Sequence, residues 1–251
     1  MANLKGCGRK VGPYDCCTVV CGDCLELMKA LPDGCVDAVI TDPPYNYGKD
    51  YGTHDDAMDW QRFCDWLTVR FSEAARLLAE GGSVYFTCST QMMGFCASWP
   101  FIRFRQWLIW HRPNLVNVHA HSDWKQTWEP IYYGGKGTFR ATKGVFPDSA
   151  VFTIATPQSN FAEGRFHVCQ RPVELIEAWL SRCEAETILD PFLGSGTTAV
   201  AAKKLGRHFL GFEIEQKYVD IAEERIALVE AQPNLFEKKA EQLDLVVAGG
   251  S

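Results

Sequence analysis

The chain is 251 residues long, 47% hydrophobic and 22% charged, with 25 basic against 31 acidic residues for a net charge of −6. This composition excludes a disordered, collagenous or low-complexity chain and leaves room for one large or two small domains around a sizeable core. The acidic balance carries no global mark of a nucleic-acid binder, so any such signal has to be local.

Residues 18–20 read as a short strand ending in Gly22-Asp23, followed by a helix over about 25–31 that Pro32-Asp33-Gly34 breaks. Residues 36–40 form the next strand, and Pro43-Pro44 must stop it because two prolines cannot continue a central ladder. Residues 46–57 are a polar, glycine-containing loop. From Asp59 onward, Trp60, Phe63, Leu67, Phe71, Ala74 and Leu78 recur at spacings of three and four, predicting a helix with one buried face that Gly81-Gly82 ends. Strands are expected over 83–87, 107–110 and 131–133. Residues 134–166, rich in Gly, Thr, Ser and Pro and without a period, read as a surface insertion or a small subdomain. Pro172 suits the first turn of a helix in which Val173, Ile176, Leu180 and Cys183 share a face. A strand (187–190), a glycine loop (191–196), a helix (197–205), a strand (208–213) and a helix (215–230) follow. The alternation predicts an α/β fold with a parallel sheet in one domain over 1–230, and a polar, fraying tail over 231–251.

The first ten residues are polar, so no signal peptide is expected. The longest uncharged stretch, 81–102, carries Ser83, Thr87, Ser89, Thr90, Gln91, Ser98 and Pro100, too polar for a membrane helix. A soluble, cytoplasmic protein is the expectation. There are eleven cysteines, and the odd count argues against a disulfide framework. Cys21-x-x-Cys24, with Cys7, Cys16 and Cys17 nearby, looks like half a zinc site. No second such pair follows, and residues 17–21 resemble a strand in which thiols act as small apolar groups. Reduced core thiols and no metal are expected.

Asp190-Pro191-Phe192-Leu193-Gly194-Ser195-Gly196-Thr197-Thr198-Ala199 joins a strand to a helix, and Glu213 ends the next strand. Glycines let the backbone approach a ligand closely, and an acid at the second strand end can grip ribose hydroxyls. Both a nicotinamide dinucleotide and S-adenosylmethionine would use these features. Only 61 residues follow Asp190, too few for a dinucleotide domain that starts at this unit, so the rest of the sheet must come from upstream.

Asp42-Pro43-Pro44-Tyr45 sits at the carboxyl end of a strand, the edge where open α/β sheets bind ligands. A carboxylate beside a carbonyl whose direction proline fixes makes two acceptors, which suit an amino group with two N–H bonds. Tyr45 offers a flat face to a planar base.

With these two elements the sequence resembles the amino-group DNA methyltransferases, the N6-adenine/N4-cytosine family. Their target-base motif, Asp/Asn/Ser-Pro-Pro-Tyr/Phe/Trp, stands at Asp42 to Tyr45, and their cofactor motif, Phe-x-Gly-x-Gly-Thr, at Phe192 to Thr197. The catalytic motif comes first, as in the permuted class called beta. Gly22-Asp23-Cys24-Leu25-Glu26 and His167…Gln170-Arg171-Pro172 are similar to accessory motifs of that class, which more often has Lys where Arg171 stands. The resemblance spans about 15 to 225.

It implies a Rossmann-like, circularly permuted methyltransferase fold with a mostly parallel seven-stranded sheet and a small target-recognition insertion over 134–166. It implies S-adenosyl-L-methionine as cofactor, held by Asp190, Phe192, Gly194, Ser195, Gly196 and Thr197. Glu213 would hold its ribose, Asp23 and Cys24 its adenine end, and Arg171 and Pro172 its methionine end. Asp42, Pro43, Pro44 and Tyr45 would act on a flipped base in double-stranded DNA, with residues 46–57 as a lid. Asp before Pro-Pro favours adenine N6. The alternatives are cytosine N4 and a nucleic-acid-binding module of the same fold that has lost activity. Between Pro100 and Pro172, nine basic against four acidic residues make +5, leaving −11 elsewhere. Arg112, Lys136, Arg140 and Lys143 in that segment are the expected DNA contacts. The short recognition region implies a short site or a second copy of the chain in a homodimer. Gln242-Leu243-Asp244-Leu245-Val246 resembles the peptide that docks on bacterial sliding clamps, apart from its last residue.

Overall fold

In the computed structural model, which describes residues 8–48, 56–114, 124–138, 149–157 and 170–231, the apolar runs pair into an eight-stranded sheet. A small hairpin, β1 (Lys10–Val11) and β2 (Tyr14–Asp15), precedes it. In chain order come β3 (Thr18–Cys21), α1 (Cys24–Lys29), β4 (Val36–Thr41), α2 (Trp60–Leu77), β5 (Leu78–Thr87) and α3 (Met93–Ala97). Then follow β6 (Arg103–His111), β7 (Trp128–Gly135), β8 (Val151–Thr153), α4 (Val173–Ser181), β9 (Thr187–Asp190), α5 (Thr197–Lys204), β10 (His208–Glu213) and α6 (Gln216–Ala231). The sheet order is β3-β10-β9-β4-β5-β7-β6-β8. It is mainly parallel; β7 runs antiparallel to both β5 and β6.

The sheet has one strand more than the seven expected. The addition is β8, three residues inside the segment read as periodless, pairing parallel to β6 with Phe152 opposite Trp110. A strand this short, half exposed at the sheet edge, leaves no period-two pattern to read. Gly134 and Gly135 also belong to the sheet, as the end of β7.

Side-chain caps start the helices where the sequence places them. Asp23 accepts from Leu25 N at 2.7 Å and Asp59 from Arg62 N at 3.0 Å, each meeting a donor that the first helical turn leaves unsatisfied. Phe63, Leu67, Phe71 and Ala74 form the buried face of α2 as expected, but Trp60 is 43% exposed on its first turn. The helix also stops three residues early. Leu78 is already extended, and β5 runs through the two glycines that were read as the helix end. Between Val36↔Leu78 and Ala38↔Ser83 the register slips, and Gly81 (φ +83°) and Gly82 sit in the slip. A Cβ on Gly82 would lie 2.8 Å from Asp37 O, so the close approach needs glycine.

Helices cover both faces. α1, α2 and α3 pack on one through Met28, Phe63, Leu67, Phe71 and Cys96. α4, α5 and α6 pack on the other through Ile176, Trp179, Ala199, Ala201, Ala222 and Ile226. This explains why β4 is apolar apart from Asp37: Val36, Ala38, Val39 and Ile40 are all buried. None of the described cysteines forms a disulfide, and Cys16, Cys24, Cys64, Cys88, Cys96 and Cys183 are buried. Among the described residues, no helix is long and apolar enough to cross a membrane.

The chain leaves the β4–β9 pair in two directions. From β4 it crosses over α2 to β5 on one side; from β9 it crosses over α5 to β10 on the other. A crevice opens at the carboxyl ends where the order reverses.

The Phe71 ring is 1% exposed and meets Phe86 at 4.5 Å and Trp99 at 4.8 Å between centroids. Phe71→Ala should cost about 3–5 kcal/mol, a large share of the ~5–15 kcal/mol that stabilises such a domain. Urea unfolding of the two proteins measures the difference.

Candidate active site

Thr41, the last residue of β4, donates its hydroxyl to Asp190 Oδ1, at the end of β9, over 2.6 Å. Asp190 Oδ1 also accepts from Phe192 N at 3.0 Å, which turns the glycine loop back over the strand end. Burial pushes the Asp190 carboxyl up to about 7, against the pull of Thr198, Thr41 and the Phe192 amide.

The residues after β4 enter a second cluster. Asp42 Oδ1 accepts from Thr87 Oγ1, from Tyr45 OH at 3.0 Å and from Arg171 Nη2 at 2.7 Å. Arg171 Nη2 also donates to Tyr45 OH at 2.7 Å and pairs with Glu129 Oε2 at 3.0 Å. Glu129 Oε1 in turn accepts from Arg112 Nη1 at 2.6 Å. Acid and base thus alternate along Asp42–Arg171–Glu129–Arg112, and each desolvated charge has an opposite neighbour. Burial holds the Tyr45 phenol well above its ordinary range, despite Arg171 beside it, so it stays protonated. Trp110 lies beneath both guanidinium groups, 5.3 Å from Arg171 and 5.5 Å from Arg112.

Topology brings these residues together. Thr87 ends β5 beside β4, Arg112 follows β6, and Glu129 is the second residue of β7. Because β7 is antiparallel, its first residues lie at the same edge as the last residues of β5 and β6, with Thr87 opposite Ile131 and His111 opposite Trp128.

A third group continues the crevice toward β3 and β10. Asp23 Oδ2 pairs with Arg70 Nη2 at 2.8 Å, and Arg70 lies 4.0 Å over the Trp66 ring, which meets Phe192 at 5.8 Å. Glu213 Oε2 accepts from Gly194 N and Oε1 from Glu215 N, both at 2.9 Å. Burial raises the Glu213 carboxyl while those amides oppose the shift. Burial also raises the Cys24 thiol to about 12 and keeps it neutral.

One cavity of about 300 Å³ joins the three groups. It is lined by Asp23, Cys24, Asp42, Pro43, Pro44, Tyr45, Arg171, Asp190, Phe192, Gly194, Ser195, Thr197 and Glu213, all predicted from sequence. Two predicted residues do not line it. Gly196 (φ +85°) backs onto α6, where a Cβ would lie 2.7 Å from Ala222 Cβ, so its role is packing. Pro172 is the N-cap of α4. The Arg171 guanidinium meets the Asp42 cluster, whereas its carbonyl is the part that meets Thr197, at 3.4 Å. Sequence reading missed Thr87 on β5, Glu129 on β7, and Trp66 and Arg70 one turn apart on α2, none of which has a motif around it.

Two expected DNA contacts are tied into the fold. Arg112 pairs with Glu129, and Lys136 Nζ donates to Leu78 O at 3.0 Å. Arg140, Lys143 and the clamp-like residues 242–246 lie outside the described residues. The two ends of the 46–57 loop are pinned together by Asp56, which accepts from Asn46 N at 2.8 Å and Tyr47 N at 3.0 Å. Asn46 and Met58 add a reciprocal pair of hydrogen bonds.

A family model described as DNA methylase, of the N6/N4 type, matches residues 36–144 and 135–224. The Type II methyltransferase M.BglII of Bacillus subtilis is 30% identical over 244 residues, covering 80% of this chain and 66% of that protein. M.HpaI of Haemophilus parainfluenzae is 26% identical, covering 83% and 73%. Among solved structures, the M1.HpyAVI–SAM complex superposes with a TM-score of 0.65 at 24% identity, covering 83% of this chain and 98% of that one. The cytosine-N4-specific PvuII DNA methyltransferase superposes with a TM-score of 0.70 at 16% identity, covering 93% of each. At these identities the two structures establish the fold.

Asp190 yields a pH dependence of stability. Its carboxyl lies near 7 in the folded protein against 3.8 for an ordinary aspartate, so between those values the folded state holds a proton that the unfolded chain has released. The stability it contributes is present at low pH and is lost as pH rises from about 4 to 7. The stability of wild type minus that of Asp190→Asn should therefore fall across this window and level off above it. Parallel urea unfolding across it tests this; a flat difference would contradict the assignment.

Proposed function

The chain belongs to the N6/N4 DNA methylase family, and from that premise we propose that it methylates the N6 amino group of an adenine flipped out of double-stranded DNA. The observation that carries this reading is a single cavity shared by the Asp42–Tyr45 acceptor cluster and the glycine loop with Glu213. The family's methyl donor is S-adenosylmethionine, which supplies an electrophilic methyl on a sulfonium when bound.

The lining fits that donor. Trp66 and Phe192 offer aromatic faces beside Asp23 for its adenine. Glu213 is oriented by the Gly194 and Glu215 amides, one on each oxygen, and its carboxylate lines the cavity where it can accept from a ribose hydroxyl. The Gly194 Cα faces open space, where a Cβ would meet nothing within 4 Å. Gln170, Thr197 and Thr198 supply uncharged polar groups for the amino-acid end.

The amino lone pair of adenine is delocalised into its ring, so the nitrogen is a poor nucleophile. Asp42 and the Pro43 carbonyl accept its two hydrogens and draw it toward tetrahedral geometry. Thr87, Tyr45 and Arg171 converge on Oδ1, and among the described residues no donor bonds Oδ2, the oxygen we assign to the amino group. Asp42 is also the base in contact when the methylated nitrogen sheds its proton. Tyr45, pinned through its hydroxyl, presents its ring for stacking, which offsets part of the few kcal/mol that flipping costs. Positioning of this kind supplies up to ~7–11 kcal/mol of a barrier. Trp124, 88% exposed just before β7, and the exposed Lys125 are the described side chains we assign to the DNA surface.

The second reading is cytosine N4, which presents the same amino chemistry; the PvuII likeness favours it. Incubation with unmethylated DNA and methyl-labelled donor, followed by digestion to nucleosides, separates the two. N6-methyladenine is expected, and N4-methylcytosine would move the assignment to the second reading. Asp42→Ala should lower the transfer rate by about 10²–10³-fold or more while the donor still binds.

Arg171→Ala should lower the transfer rate by about 10²-fold and leave the dissociation constant of the donor nearly unchanged, because its guanidinium orients Asp42 and Tyr45. A large loss of donor affinity, read by calorimetry, would instead place that side chain at the methionine end.

A further inference from the structure

At the opposite edge of the sheet from the cavity, three metal-ligating side chains meet. Cys16 and Cys17 precede β3, and His208 opens β10 beside it. Their ligating atoms all lie within 4.8 Å of one another. Cys16 Sγ is 3.2 Å and Cys17 Sγ 4.0 Å from His208 Nδ1. Tetrahedral zinc, with Zn–S of ~2.3 Å and Zn–N of ~2.0–2.1 Å, sets an S···N edge of about 3.6 Å. The two distances bracket that value, so small side-chain rotations close the geometry.

The backbone supplies a second, independent observation. Neighbouring residues of an extended strand project to opposite faces. Cys17 has φ +61°, one of two described non-glycine residues with positive φ. This left-handed turn brings two consecutive thiols to one imidazole, and backbone conformations of this kind gather at functional sites. The bend is held by Cys17 N donating to Phe209 O at 2.7 Å and Cys16 N to Arg9 O at 3.0 Å.

We propose that Cys16, Cys17 and His208 bind one zinc-like divalent ion that fastens the β1–β2 hairpin to β10. Two thiolates and a neutral imidazole balance the charge of such an ion, and the soft sulfurs select zinc over magnesium or calcium. Cys17 and His208 are half-buried and the surface beside His208 is hollowed, which leaves the fourth position to solvent. The site lies at the start of β10, five residues or about 16 Å from Glu213 at its end. It is therefore structural and takes no part in methyl transfer.

The test is a titration of the reduced, chelator-stripped full chain with Co²⁺. One equivalent should bind, with thiolate-to-cobalt charge-transfer absorption and the visible bands of tetrahedral cobalt, and Zn²⁺ should displace it. Cys17→Ser and His208→Ala should each weaken binding by more than about tenfold and reduce or shift those bands. Cys35→Ser, a half-buried thiol elsewhere, should change neither. Zn²⁺ should raise the thermal midpoint of the wild type and not of Cys17→Ser, and Cys17→Ser should keep wild-type methyl transfer. Absence of the charge-transfer band from the wild type at saturating Co²⁺ would overturn the proposal, leaving an ordinary thiol–imidazole hydrogen bond. So would a Cys17→Ser or His208→Ala spectrum identical to wild type. The wild-type titration decides even if a variant fails to fold.

Discussion

The 2.6 Å hydrogen bond from Thr41 to Asp190 joins residues 149 positions apart in the chain, and the candidate active site is arranged around it. Each residue is the last of its strand, β4 and β9, and the two strands are the pair from which the sheet is built outward in both directions. The loop after one strand carries the acceptor cluster; the loop after the other carries the glycines. Their cavity exists because parallel pairing sets both strand ends at one level. The bond is fully buried, so losing one partner would leave the other unsatisfied. The same burial keeps the Asp190 carboxyl raised, an electrostatic cost inside a site built for a ligand.

Around Asp42 the protein meets a different electrostatic problem. Two carboxylates and two guanidinium groups, all with side chains no more than a quarter exposed, are packed into one cluster. Arg171 and Arg112 compensate Asp42 and Glu129 in an alternating chain, and Thr87 and Tyr45 hold the same oxygen that Arg171 holds. Such chains are costly to break at one member, because the remaining charges are left buried without a partner. Glu129 is central to it, bridging both arginines from the second residue of the antiparallel strand.

The cysteines divide by environment. Cys88 and Cys96 are buried among apolar side chains, Cys64 is buried on α2, and burial raises all three thiols, so they behave as small hydrophobes. Cys16 and Cys17 instead face an imidazole at the far end of β10. The Cys21-x-x-Cys24 pair, which spacing alone singles out, is divided between an exposed thiol at the end of β3 and a buried one on α1 that lines the cavity.

The sequence by itself determined the α/β class, the order of nearly all elements, the two loops that carry the chemistry and most of the cavity lining. These features are local: proline stops a strand, glycine opens a loop, and helical periodicity survives without knowledge of partners. Only the tertiary structure decided the rest. The end of α2 moved from Gly81-Gly82 to Leu77 because Leu78 pairs with Val36 of β4 and residues 79–82 are taken into the register slip that follows. β8 exists because β6 offers it an edge. Arg171 was legible as part of a motif, but that its guanidinium turns to Asp42 and Glu129 depends on β7 running antiparallel. Glu129, Thr87, Trp66 and the meeting of Cys16, Cys17 and His208 are contacts between distant elements. No spacing along the chain encodes them, because strand order is set by burial of whole faces rather than by neighbours in sequence.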